Sequence, residues 1–287
     1  KRFASNIATG AILFLSPTIA SAAAEIAVAR GGTDITDGGS ASYGNVTVGE
    51  PSSLSFTIQN TGTSILTLGS ATISGGNAGD FTITSQPAAQ VPPGTGTNVV
   101  IRFIPGATGA RSASVNLATN DTDENPFNFT LSGNGVSPEI TLSRDGAVIT
   151  DDSNSASNLG SVNLGANASA TFTVENNGNA TLTLGTVAVG GNHAGDFVVT
   201  SQPASEVSSG GSTTFTIRFT PSATGARSAS IALSNNDLDE NPYDVLIGGT
   251  GVAPEITVTR GGADITDGGA ASYGNVTVGE PSSLSFT

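Results

Sequence analysis

This 287-residue sequence predicts an all-β protein built from tandem two-sheet sandwiches, and three observations carry that reading. Apolar residues alternate with Ser and Thr in short runs. Turn-forming Gly, present in 38 copies, punctuates those runs, and long strings recur at a near-constant step. Period-two alternation gives each strand one face for a core, and a fixed step marks repeated modules.

Residues 1–22 have the layout of a secretory signal peptide. Lys1 and Arg2 form a basic start, Ile7 to Leu15 a short apolar run, and Pro17 breaks it before Ala20-Ser21-Ala22. Small residues at those positions are what a signal peptidase reads. The run is too short to span a bilayer, which takes roughly 20 residues, and no other stretch is apolar enough, so no membrane span is expected. All 23 acidic residues follow Ala22, while two of the nine basic ones precede it, leaving 7 − 23 = −16 after export. Such a surface repels nucleic acid and anionic lipid, so neither is an expected partner. With no Cys there is no disulfide framework or thiolate metal site. Beyond position 22 there is no Lys, which excludes Schiff-base chemistry and Lys–Asn isopeptide cross-links.

Repetition organises the remainder. Glu25-Ile26 returns as Pro138-Glu139-Ile140 and Pro254-Glu255-Ile256. Ala78-Gly79-Asp80-Phe81 returns as Ala194 to Phe197, Thr108 to Ser114 as Thr224 to Ser230, and Asn120 to Pro126 as Asn236 to Pro242. The step is 116 residues from Phe81 to Phe197 but 114 from Glu25 to Glu139, so the second unit carries two extra residues, placed at Asp151 to Gly160. Asp264 to Thr287 copies Asp34 to Thr57 with Ala270 in place of Ser40 and stops in mid-strand, which leads us to expect that the parent protein continues. The organisation is therefore a signal peptide at 1–22, repeats at 23–137 and 138–253, and a partial third repeat at 254–287.

Each full unit reads as about seven strands. Leu54, Phe56 and Ile58 correspond to Ala170, Phe172 and Val174; Val99, Ile101 and Phe103 to Phe215, Ile217 and Phe219, with Arg102 and Arg218 pointing the other way. Ala113, Val115 and Leu117 correspond to Ala229, Ile231 and Leu233, and Phe127, Phe129 and Leu131 to Tyr243, Val245 and Ile247. One apolar face per strand requires a second sheet to cover it, which gives an immunoglobulin-like sandwich. No helix is expected after residue 22.

The Pro-Glu-Ile opening, the Asn-Thr-Gly turn at Asn60 to Gly62, the Ala-Gly-Asp-Phe string and the acidic turn before the last strand together resemble the choice-of-anchor D repeats of bacterial surface proteins. Those repeats are similar to the ASH/Hydin class of immunoglobulin-like domains, and the resemblance covers residues 24 to 287. It implies extracellular multi-repeat stalks, secreted or on the bacterial surface, and carries no catalytic residues to transfer.

The residues supply little chemistry of their own. The single His, His193, corresponds to Asn77 and is expected in a solvent-exposed turn. Without Cys, a second His or Lys, a nucleophile would have only carboxylates as bases. No Trp and three Tyr leave little with which to stack a sugar. We expect no enzyme, no catalytic residue, no cofactor and no metal site. The acidic turns are the one constellation to weigh. Asp121, Asp123 and Asn125, like Asp237, Asp239 and Asn241, place oxygens at alternate positions as a calcium loop does. Against that, Pro126 and Pro242 stand where such a loop needs Gly, and Ser132 and Gly248 where it needs Glu. A strand-to-strand turn, closed by its own Asn and Asp side chains, is the expected role. The expected function is a structural stalk or matrix spacer whose partners are neighbouring repeats of the same chain. The alternative is an adhesin whose loops bind a surface, glycan or protein ligand.

Overall fold

Alternating apolar residues become strands because only a pleated backbone sends them all to one side. A computed structural model describes residues 23–287, so the signal-peptide expectation lies outside the described residues. The described chain divides into two compact units, one ending at Val136 and one spanning Ser137–Thr287.

The first unit contains β1 (Ile26–Arg30), β2 (Thr33–Ile35), β3 (Gly39–Thr47), β4 (Ser52–Asn60), β5 (Leu66–Thr67), β6 (Thr72–Ser74), β7 (Phe81–Ser85), β8 (Gln90–Val91), β9 (Gly96–Phe103), β10 (Gly109–Leu117) and β11 (Phe127–Val136). Seven of these have five residues or more; β2, β5, β6 and β8 are short ladders of two or three. One sheet runs β2-β1-β4-β9-β7 and the other β3-β11-β10-β6. All neighbours are antiparallel except β3 and β11, which run parallel. Phe56, Ile101, Phe103 and Leu131 have no exposed surface, and Phe81 stacks on Phe103 with centroids 4.6 Å apart.

The second unit repeats this plan with β12 (Ile140–Arg144), β13 (Ala147–Ile149), β14 (Ser153–Asn163), β15 (Ala168–Asn176), β16 (Leu182–Gly190), β17 (Phe197–Ser201), β18 (Glu206–Val207), β19 (Ser212–Phe219), β20 (Gly225–Asn235) and β21 (Tyr243–Val252). Its sheets run β13-β12-β15-β19-β17 and β14-β21-β20-β16-β18. The two additional residues are absorbed in β14. There the pairing passes from Ser153↔Val245 to Ser157↔Ile247, so β14 advances four residues while β21 advances two. A bulge of this kind keeps the later register, and with it the buried face, unchanged.

A last hairpin, β22 (Val258–Arg260) with β23 (Ala263–Ile265), precedes a segment without further strands whose Thr287 exchanges backbone hydrogen bonds with Thr259. That pairing reproduces Ala29↔Thr57 and Ser143↔Thr173 in the earlier units. The register is the same, yet Phe286 is 48% exposed where Phe56 is 0%.

No α-helix is present among the described residues, as expected; Ala78–Asp80 and Ala194–Asp196 each form a single 3-10 turn. The Ala-Gly-Asp-Phe string has this shape because the turn swings its Asp off the strand line. Asp80 thereby meets Arg111 at 2.6 Å and Asp196 meets Arg227 at 2.5 Å, which ties the crossover to β10 and β20. The recurring Thr-Gly-Ala-Arg string is the other half of that contact.

Candidate functional site

The polar groups most conspicuous in the sequence collect where the chain enters each sandwich. Asn176, with no exposed surface, donates from Nδ2 to the carbonyls of Ala180 and Val207, while its Oδ1 accepts from the N–H groups of Gly178 and Glu139. Asn60 makes the corresponding bonds to Ser64, Val91 and Gly62 in the first unit. Glycine two positions on is a packing requirement, since a Cβ at Gly178 would lie 2.4 Å from the Ser137 carbonyl oxygen. The Asn-x-Gly turn therefore grips the backbone that leads into the first strand.

The acidic turn closes on the same strand. Asp237, only 2% exposed, accepts from the Ile140 N–H at 2.8 Å through Oδ2, and Asp121 accepts from the Ile26 N–H at 2.9 Å. A buried backbone donor without such a partner would be costly. The Asn side chains hold the turn itself. Asn241 Oδ1 accepts from the Asn235 N–H and Asn125 Oδ1 from the Thr119 N–H, so both close their own turn.

A partner absent from the predicted constellation joins the carboxylates. Glu139, from the Pro-Glu-Ile opening, joins Asp237, Asp239 and Glu240, with one carboxylate oxygen from each within 4.8 Å of the others. Glu25 joins Asp121 and Asp123 in the first unit. Almost a hundred residues separate Glu139 from Asp237, so local spacing could not have paired them; joint recurrence of the opening and the turn in each repeat was the available signal. Four carboxylates at this range can share protons or present oxygens to a hard cation.

The electrostatics follow from burial and like charge. Burial, followed by Glu139, Asp237, Asp239 and Asp151, pushes Glu240 up to about 7. Burial also raises Asp237, against the pull of the Ile140 N–H, with Asp239 adding to the rise. Glu139 is raised by burial and then by Asp237 and Asp239. Glu124 is raised by burial and by Asp121, Glu25, Asp123 and Asp37. One oxygen of each turn glutamate, Oε2 of Glu124 and of Glu240, is shielded from solvent and has no hydrogen-bond partner among the described residues.

His193 differs from its expectation. It is half-buried, and Nδ1 accepts from the Ser228 N–H at 3.0 Å, the role that Asn77 Oδ1 fills toward Ser112. Among the described residues, no helix is long and apolar enough to cross a membrane.

The chain matches the family model described as HYDIN/CFA65/VesB-like, Ig-like domain over residues 40–134 and 151–250. Among solved structures it is similar to a protein of unknown function from Porphyromonas gingivalis W83, at 13% identity over 71% of this chain and 93% of that one, with a TM-score of 0.32. It is similar to the ASH/PapD-like domain of human CEP192 (PapD-like domain 7), at 16% identity over 47% of this chain and all of that one, TM-score 0.31. A third similarity is to the Vibrio cholerae VesB protease, at 16% identity over 33% of this chain and 30% of that one, TM-score 0.28. No curated protein matches the chain.

Proposed function

The chain belongs to the HYDIN/CFA65/VesB-like family of immunoglobulin-like domains, and on that premise we propose that it is a non-catalytic extracellular repeat protein serving as a surface stalk or matrix spacer of the choice-of-anchor D kind. The observation that carries this reading is how both repeats use their polar side chains. Asn60 and Asn176 hold turns, Asp121 and Asp237 hold the first strand, Asp80 and Asp196 bind arginines, and His193 accepts a backbone N–H. Groups committed to backbone or to arginine in this way stiffen a module and are not available for general acid–base or nucleophilic work. Export to the bacterial surface rests on the Lys1 to Ala22 layout and on the acidic charge that follows it.

The test is deletion of one 116-residue repeat from the gene in its own host. A spacer shortens: the distance from the cell envelope to an epitope at the far end, read by super-resolution imaging or force microscopy, should fall while attachment to surfaces changes only in proportion. Loss of attachment with no change in that distance would favour the adhesin instead. Intact mass of the exported protein should begin near Ala23; a retained Lys1–Ala22 segment would remove the export argument.

A further inference from the structure

A carboxylate oxygen enclosed by protein must accept a hydrogen bond or carry a proton, because an ionised oxygen without a partner bears the full cost of desolvation. Glu240 Oε2 is enclosed and accepts nothing from the described residues, and so is Glu124 Oε2 at the same position of the first repeat. Occurrence at matched positions in two independently packed sandwiches makes this a property of the repeat.

The titratable groups that face Glu240 are acids and one neutral phenol. Glu139 comes from the segment before β12, Asp237 and Asp239 from its own turn, Asp151 from the turn before β14, and Tyr243 from the start of β21. Around Glu124 stand Asp121, Asp123, Glu25 and Asp37. Among the described residues, neither turn glutamate forms an ion pair with Arg. Two of the surrounding acids are already committed as acceptors, Asp237 to the Ile140 N–H and Asp151 to the Asp244 N–H. Carboxylates this close cannot all ionise without mutual repulsion.

We propose that each acidic turn is a proton-operated clamp, in which a proton carried by Glu240 (Glu124 in the first repeat) is shared with the neighbouring carboxylates and holds the turn against the first strand. With the proton in place, Glu240 changes from an orphaned acceptor to a donor toward the cluster. Asp237 then stays over the Ile140 N–H, and the chain entry is fastened. Without it, Glu139, Asp237, Asp239 and Glu240 repel, and Glu139 is covalently next to the strand being held. Repulsion therefore acts at the Asp237–Ile140 bond, 97 residues apart in sequence.

The sign follows from linkage. A carboxyl whose value rises from 4.5 to about 7 on folding takes up a proton as the protein folds. Its stabilisation is complete below 4.5 and is lost as pH rises through about 7. Partial exposure of the turn reduces the effect, which we place on the order of tenfold in the local opening equilibrium.

Amide hydrogen exchange at Ile140 in the full chain, corrected for the intrinsic rate, is the direct test. Between pH 5 and pH 8 protection should fall by roughly tenfold in the wild type and clearly less in Glu240→Gln, whose neutral amide can donate without titrating. Equal pH dependence in both proteins, or constant protection in the wild type, would overturn the clamp. Should Glu240→Gln fold poorly, carbon-detected NMR titration of the Glu240 carboxyl in the unaltered protein decides. A midpoint near 7 supports the clamp, and one at the ordinary 4.5 removes it. The exchange series is repeated with chelator and with millimolar calcium chloride. No difference supports the proton; calcium-dependent protection at pH 8 would assign the cluster to a cation and overturn it.

Discussion

Phe172 lies in the middle of β15 with no exposed surface, its ring 5.0 Å from that of Phe215 and nearly parallel to it. Thr171, one residue earlier, points outward, and its hydroxyl meets that of Thr216 at 3.3 Å. Phe172→Ala should therefore cost about 3–5 kcal/mol, the usual range for emptying an aromatic site in a packed core. Thr171→Ala should cost less than about 1 kcal/mol. Urea denaturation of the two variants measures the difference, and equal costs would mean that the strand register is wrong. Asp237 poses a similar choice between chemistry and bonding. Its role toward Ile140 requires an acceptor rather than a charge, and burial already disfavours the charge. Asp237→Asn should stay within about 1 kcal/mol of the wild type, while Asp237→Ala strands a buried N–H at a cost of about 1–3 kcal/mol. An Asn variant as damaged as the Ala variant in the same denaturation series would show that the charge itself matters.

At the scale of elements, the strings that recur are contacts between elements. Gly249 in β21 lies over the ring of Phe219 from the facing sheet, and a Cβ there would come within 2.4 Å of the ring; Gly133 and Phe103 repeat the arrangement. The run Ile247-Gly248-Gly249-Thr250 is thus shaped by close approach of the two sheets. Gly195, in the 3-10 turn, has open space around it, with nothing within 4 Å of the point a Cβ would occupy. Gly249→Ala should lose about 1–3 kcal/mol through overpacking, and Gly195→Ala should change stability by under about 1 kcal/mol. Thermal melting of the pair checks this, and a tolerated Gly249→Ala would mean that the sheets can separate at that point. The Asp196–Arg227 contact that this turn supports sets an acid limit. Burial raises the Asp196 carboxyl, but its hydrogen bonds from Arg227 and Ser222 outweigh that and leave it below its ordinary 3.8. Its stabilisation is complete above 3.8 and lost as pH falls further, through its depressed folded value. Stability should fall steeply in the wild type as pH drops from about 5 to about 2, and less steeply in Asp196→Asn. Denaturation midpoints across that range check this, and parallel curves would show that the pair carries no part of the acid limit.

At the scale of the whole molecule, the repeat is what the sequence alone determines. Alternation at Leu54-Phe56-Ile58 and Ala170-Phe172-Val174 assigns faces from steric geometry within a few residues, so strand type and the buried side were legible without coordinates. Leu54, only partly buried, shows the limit of that reading at a strand end. The step between copies likewise located the two extra residues, though that they become a bulge in β14 depends on its pairing with β21. The part of the candidate site visible in the sequence was the acidic turn that holds Asp121 and Asp237. Its use was not visible. Glu139 and the Ile140 N–H reach that turn only because the first strand lies across the sandwich from it, while the Asn241 side chain closes the turn on Asn235. Phe286 makes the same point in reverse. It has the sequence surroundings of Phe56, and its neighbour Thr287 repeats the pairing of Thr57, yet it is half exposed, because β9, which pairs with Phe56, and the facing sheet have no counterpart around it among the described residues. Sequence alone determined the repeat, which is read by comparing copies, and the strands and their faces, which depend on neighbours one or two residues away. Burial, the partners of each polar group and the proton affinity of the acidic turn were decided only by tertiary structure, since each depends on atoms that the fold brings together from distant parts of the chain, as with the 97 residues between Ile140 and Asp237.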